Sequence, residues 1–487
     1  MMASARYMSF LRISSLRSSL LGCTGPSRAL RFLSRPQSTQ AVSAPSQAVS
    51  EPMTLQYNWI DGAECPDGYY HGGYHPVSIG DVLKRRYRIV DKLGHGGYST
   101  VWLAHDDDAQ RFVALKISTG GPGSDCLTRE TKTLRDLAHA PTLAQGVHPG
   151  RHLFPTVLDA FQVIGPNGTH SCYTTAPARD SIRLAAEFRL FQLPVARALA
   201  GAIVQAVSYI HSRGYVHGDL HWGNILVQLP PHILDKLSVE QYYEKYDEPE
   251  TVTITRRDGQ PLASTDGGGV HVPPYAVLPT RPWALSADKF TLADTSIVVG
   301  DFGEAFQPGT VVRLGRDCHT PRPMKPLEAH FMPDAPMSFP ADIWTLASVL
   351  WDLVAMKRFV SADFATEDET IAQHIDVIGP LPDEWRKSAD WREQQVRYFD
   401  EQGRRRNTDE AIWPSLEVAF DDGVQKYRRR DNLGVFSEDE RAAFLDLIRR
   451  MVVYDPEGRI TIDGVLQSEW MQRWALPAFD EASKESV

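Results

Sequence analysis

His217-Gly218-Asp219-Leu220-His221-Trp222-Gly223-Asn224 is the stretch on which the fold turns. An acid followed five residues later by a carboxamide is a spacing that can offer one group to a hydroxyl proton and the other to a metal ion. Upstream, Val195 to Ser212 is one long amphipathic run, which predicts a helix closed by Gly214 as its C′ glycine. Further upstream lie three β-prone runs, Tyr87-Arg88-Ile89-Val90, Thr100-Val101-Trp102-Leu103-Ala104 and Phe112-Val113-Ala114-Leu115-Lys116-Ile117. Cys126 to Ala138 then has helical spacing. Downstream, Ile297-Val298-Val299 reads as a buried strand running into Asp301-Phe302-Gly303, and Asp342 to Ala355 and Glu438 to Val453 read as helices, the second capped by Ser437.

Each short motif has a plain reading. A glycine hairpin is usually a turn, a strand lysine usually snorkels from an edge, and an isolated Asp-Phe-Gly is usually a turn. Their order carries the argument. Gly94, Gly96 and Gly97 lie between two strands rather than between a strand and a helix, which argues against a dinucleotide fingerprint. The placement fits a hairpin whose amides cover phosphates, with Val101 packed on a purine base. Lys116 at the end of an apolar strand needs a partner, and Glu130 on the next helix is a suitable one. Asp219 is the candidate base. Asn224 and Asp301 are the candidate Mg²⁺ ligands, since Mg²⁺ suits one carboxylate, an amide oxygen and phosphate oxygens. Pro326-Leu327-Glu328 resembles the Ala-Pro-Glu that ends an activation segment, a resemblance that implies a Glu328–Arg459 pair and Asp342 capping the catalytic loop from below.

Charge is unevenly placed. Of 51 basic and 61 acidic side chains, residues 1–50 hold six arginines and no acid, so the rest of the chain carries 45 against 61. An acidic body disfavours nonspecific nucleic-acid binding and suits basic partners. The first fifty residues, rich in Arg and Ser, have the composition of a mitochondrial transit peptide. Residues 36–56 read as a linker, and residues 229–296, rich in Pro, Gly, Thr and acid, as a partly mobile insertion. Five scattered cysteines lack metal-ligand spacing and read as reduced thiols. No uninterrupted apolar run reaches the roughly 18 residues a spanning helix needs.

Together the motifs resemble a eukaryotic protein kinase over roughly residues 69–474. Tyr70-His71-Gly72-Gly73-Tyr74-His75-Pro76-Val77, then Gly80-Asp81, Lys92-Leu93-Gly94 and Ser99-Thr100-Val101-Trp102-Leu103-Ala104, is similar to the SR-protein kinase family, above all its fungal members. The resemblance implies an α+β, bilobal fold: an extension over 51–85, a β-rich lobe over 86–177, a mainly helical lobe over 178–476 holding the 229–296 spacer, and a tail over 477–487. It implies ATP and Mg²⁺, with Leu93, Gly94, Gly96, Gly97, Val101, Ala114, Lys116, Glu130 and Thr175 (the gatekeeper) around the nucleotide. Lys116, Asp219 and His221 would be catalytic, and Asn224 and Asp301 would hold metal.

The resemblance also implies Ser phosphorylation in Arg/Ser repeats of splicing factors, docked on Glu367, Asp368, Glu369 and Asp376. The family works in cytoplasm and nucleus, whereas the N-terminus points to the mitochondrion. Four departures stand out. Gly218 replaces an Arg that ties the site to a phosphorylated activation loop. His221 replaces the Lys that stabilises the transferred group. Thr174-Thr175-Ala176-Pro177 is unusual for a hinge, and Pro323-Met324-Lys325 replaces Gln-Tyr-Arg. Two other readings remain open. The catalytic loop also resembles that of aminoglycoside and choline kinases, which lack the Glu328 and Arg459 elements, and His221 with Gly218 fits a pseudokinase scaffold.

Overall fold

β-branched and aromatic residues alternating with polar ones build the strands between Val82 and Thr175. The computed structural model describes residues 56–121, 123–139, 147–187, 189–234, 236–262, 271–361, 365–387, 400 and 413–485. The transit segment 1–50 and Asp266-Gly267-Gly268-Gly269 lie outside the described residues. The chain divides into two units. The first comprises residues up to Asp125 with Ala160–Thr174 and Leu234–Thr280, and the second comprises Cys126–Asp159, Thr175–Ile233 and Arg281–Val487.

In the first unit six strands, β1 (Val82–Leu83), β2 (Tyr87–Gly96), β3 (Ser99–Asp106), β4 (Arg111–Ser118), β5 (Asp159–Gly165) and β6 (Gly168–Thr175), form one sheet in the order β1-β2-β3-β4-β6-β5. Trp102, Val113, Leu115 and Ile117 bury one face, and Val77 from the extension and Val277 from the insertion join the same core. This corrects the reading of the insertion. Leu234–Thr280 folds with the sheet rather than with the larger lobe. Its helix α4 (Val239–Tyr246) starts on a capping box at Ser238, and a hairpin pairs β9 (Thr251–Thr253) with β10 (Tyr275–Val277). Asp91 on β2 holds it: its carboxylate accepts from the buried Tyr242 hydroxyl at 3.0 Å and from Thr280 at 2.7 Å. Ile60 and Ala63 of the extension pack on Ile254 and Ala276 of the insertion.

The second unit is helical. After β7 (Ala178–Ser181) and the short α2 (Ile182–Ala185), α3 (Leu193–Ser212) begins with Pro194 in its first turn and ends before Gly214 at φ +77°. It has the length and mean hydropathy (1.5) of a membrane-crossing helix, but 83% of that window is buried inside the protein, the mark of a core helix. A Cβ at Gly201 would stand 2.8 Å from the Ala475 carbonyl, so only glycine lets α3 approach the C-terminal segment this closely. Residues expected as a tail form the helix Leu476–Glu485, whose Ala478 and Ala482 pack on Ala198 of α3. β8 (Ile225–Gln228) pairs antiparallel with β7 and with β11 (Ile297–Val299), and this small sheet carries the functional loops at its ends. Further along lie α5 (Glu328–Phe331), α6 (Phe339–Val354), α7 (Glu367–Ile378) and the helix Glu438–Met451.

Candidate functional site

Within the first unit the register sets Val101 opposite Lys116 and Leu103 opposite Ala114. Side chains alternate across a strand, so Val101, Ala114 and Lys116 share the face away from the Trp102 core. All three are half-buried, as is Leu93. The Lys116 ammonium lies 5.9 Å from the Tyr173 ring centroid. Gly94 and Gly96 lie at the end of β2, opposite Val101 and Ser99, and Gly97 is in the tight turn to β3. The extension restrains this turn: the Tyr74 hydroxyl donates to the Gly96 carbonyl at 2.7 Å, and His95 Nε2 lies 3.2 Å from the Gly62 carbonyl. Beneath the turn, Lys92 is fully buried against Glu64, which also receives the Tyr69 hydroxyl. Burial draws the Lys92 ammonium down from its ordinary value. Burial pushes the Glu64 carboxyl the other way, but Lys92 and Tyr69 outweigh it and hold it below its usual range.

Within the second unit the structure brings Asp219, Asn224 and Asp301 together. Asn224 Nδ2 donates to the Asp219 carbonyl at 3.0 Å, and the Gly300 amide donates to the Asn224 carbonyl at 2.8 Å, tying the catalytic loop to the residue before Asp301. Asp301 itself is left-handed at φ +59°. His217 is packed against Phe302 with ring centroids 4.9 Å apart, and its Nε2 reaches the Gly300 carbonyl at 3.1 Å. Glu130, on α1 (Gly123–Ala138), is buried and accepts from the Phe302 amide at 3.1 Å. Thr175 closes β6, its hydroxyl 3.2 Å from the Ala176 carbonyl.

Asp219 is electrostatically perturbed. Its Oδ1 is buried with no hydrogen-bond partner among the described residues. Burial first, then the charges of Asp301 and Glu304, push its carboxyl up to about 7. His221 lies with Nε2 3.7 Å from Asp219 Oδ2, and its Nδ1 accepts the Gly223 amide at 3.1 Å. Burial draws the ring down to about 4. Asp342 accepts the His217 amide at 2.7 Å, the Gly218 amide at 3.0 Å and His211 Nε2 at 2.9 Å. Burial would raise this carboxyl, but those donors hold it below its usual range.

The loop after Asp301 shows why Gly218 stands where it does. Gly218 has φ +77°, and a Cβ there would sit 2.8 Å from the Glu304 carbonyl. Glu304 binds Arg313 at 3.0 Å and His319 at 3.3 Å, and the Thr320 hydroxyl donates to the Gly218 carbonyl at 3.2 Å. Side chains therefore fasten this segment. Sequence reading missed Glu304, although it follows Asp-Phe-Gly directly. Glu328 and Arg459 form the expected buried pair, Nη1 to Oε1 at 2.8 Å and Nη2 to Oε2 at 2.9 Å.

The four acids of the expected docking helix do not act alike. Glu369 caps α7 by accepting the Thr366 amide at 2.6 Å, and Asp376 accepts the Trp413 amide at 3.0 Å. Glu367 is exposed and lies 3.4 Å from His330, and Asp368 is half-buried.

Residues 87–238 match the protein kinase domain family. A serine/threonine protein kinase of Aspergillus fumigatus is 26% identical, over 86% of this chain and 94% of that protein. The serine/threonine-protein kinase SRPK of Physarum polycephalum is 24% identical, over 84% and 91%. SRSF protein kinase 3 of Homo sapiens is 30% identical over a shorter stretch, 36% of this chain and 31% of that protein. A solved kinase domain aligns at a TM-score of 0.54 and 15% identity, over 82% of this chain and 98% of that one, a likeness of fold.

Proposed function

Because the chain belongs to the protein kinase superfamily and, within it, to the SR-protein kinase family, we propose that it transfers the γ-phosphoryl group of ATP to Ser or Thr hydroxyls of Arg/Ser-rich proteins, those of mRNA splicing among them. The observation that carries the catalytic part is Asp219, a half-buried carboxylate whose Oδ1 is buried with no hydrogen-bond partner among the described residues. Such an atom is an acceptor kept open for a hydroxyl proton.

The donor set at the loop fits a magnesium-bound nucleotide. Asn224 and Asp301 supply one amide oxygen and one carboxylate, an oxygen set that Mg²⁺ accepts. Magnesium would supply charge neutralisation at the phosphates. The chain's own residues do the rest. Lys116 holds phosphate oxygens. The glycine turn covers them with amides, and Leu93, Val101, Ala114 and Thr175 flank the base. Asp219 orients the acceptor hydroxyl and takes its proton, and His221 donates a hydrogen bond beside it. Positioning and fixed dipoles supply most of the rate. Glu367 and Asp368 attract an Arg-rich segment through charge-assisted bonds.

The test is transfer from radiolabelled ATP with Mg²⁺ to an Arg/Ser-repeat peptide, casein, choline and an aminoglycoside. The proposal expects labelled peptide above all. Labelled choline or aminoglycoside would replace the protein-kinase reading, and no label on any acceptor would leave a scaffold.

A further inference from the structure

Two guanidinium side chains approach the catalytic loop beyond His221. Arg358, in the segment that follows α6, lies with its Cζ 5.1 Å from the ring centroid of Trp222, three residues after Asp219. Both side chains are half-buried. Arg183, exposed on α2, brings its Cδ to 3.9 Å from the point a Cβ on Gly223 would occupy. Gly223 itself is held close under the His221 ring, 2.9 Å from where its Cβ would stand. We propose that Arg358, held on Trp222, and Arg183 form a cationic shelf that receives an anionic oxygen group, carboxylate or phosphate, on a residue beside the acceptor Ser or Thr. This rests on the kinase reading and names a feature of its substrate.

Three observations support the shelf. The planar guanidinium is presented by stacking, so little ordering is left to lose when an anion arrives. The acid that acts on Arg358, Asp352, is buried on α6, and burial pushes its carboxyl up to about 7 in spite of Arg358. Its Oδ1 accepts the Phe359 amide at 3.3 Å, so this carboxyl is engaged by the backbone beside Arg358. Finally, the shelf opposes in sign the acids of α7 in the same unit. A substrate matched to both surfaces carries a basic segment for α7 and an acidic or phosphorylated residue next to the hydroxyl. Arg358 then decides specificity, and Asp219 remains the residue that meets the reacting atom.

The test uses the full chain and peptides with one acceptor Ser in a neutral background. Each peptide carries one Glu, one phosphoserine or one Arg within three positions of the acceptor. The shelf expects kcat/KM about tenfold higher for the best anionic peptide than for the neutral one. Arg358→Glu should erase that preference and favour Arg, with the neutral peptide within about twofold of wild type. Arg183→Ala should reduce it partly. A larger gain with phosphoserine than with Glu assigns the shelf to phosphate, and equal gains assign it to carboxylate. Equal losses on every peptide in Arg358→Glu, or no anionic preference in wild type, overturn the shelf. If no peptide is phosphorylated the kinase reading fails. Fluorescence anisotropy with the same peptides then decides the shelf alone, which stands only if Arg358→Glu weakens the anionic peptides selectively.

Discussion

Two carboxylates, one in each unit, have opposite fates. Glu64 meets the Lys92 ammonium and the Tyr69 hydroxyl, and is held below its usual pKa. Asp219, its side chain 21% exposed, keeps a buried oxygen without a partner among the described residues, stands beside two other acids, and is raised to about 7. Burial pushes both carboxyls upward, so burial alone does not separate them. The difference lies in what the protein gives each one to bind. Glu64 is satisfied and serves the fold. Asp219 is left unsatisfied, a state that costs stability and persists where function uses it.

The largest stability effect should come from breaking the satisfied cluster. Lys92→Met leaves Glu64 buried without its cation and should cost about 3–5 kcal/mol in urea unfolding. The double variant Lys92→Met/Glu64→Leu should recover most of it. If the single variant costs nothing, the pair is not what holds the extension to the sheet. Next is the anchor of the insertion. Tyr242→Phe removes one donor to Asp91 and should cost about 1–2 kcal/mol, seen as a lower unfolding midpoint with phosphoryl transfer retained.

The smallest effect is a pH dependence at the loop after Asp301. The hydrogen bond that His319 donates to Glu304 raises the ring above its ordinary 6.5, against the opposing effect of burial. A raised folded value means the contact stabilises fully below the unfolded value and fades as pH rises through the folded one. Protease resistance of the 301–328 segment should therefore fall as the pH rises above about 6.5, and His319→Gln should flatten the profile. A profile unchanged by that substitution removes His319 from the fastening.

The catalytic loop was legible in the sequence because its geometry is local. Asn224 binds the carbonyl of a residue five positions back, so spacing alone announces the contact. The pair Glu328–Arg459 spans 131 residues and was read through family resemblance, since no local pattern links the two. Glu64 gave no signal at all: its partner lies 28 residues away and an isolated Glu in an extension reads as solvated. The insertion was misread for a related reason. Its composition is polar, but a few anchors, Tyr242, Ala276 and Val277, are buried and suffice to dock it. Residues 477–487 read as a tail because alanine is a weak hydrophobic signal, although Ala478 and Ala482 are what pack on Ala198 of α3.

The claim that an unsatisfied carboxylate marks the chemistry is tested most directly in Asp219→Asn, with phosphoryl transfer from Mg²⁺–ATP and unfolding free energy measured on the same sample. The account predicts a rate lower by about 10²–10⁴-fold and a stability equal to or above that of wild type. A variant that transfers phosphate at the wild-type rate, or that loses as much stability as Lys92→Met, would contradict it.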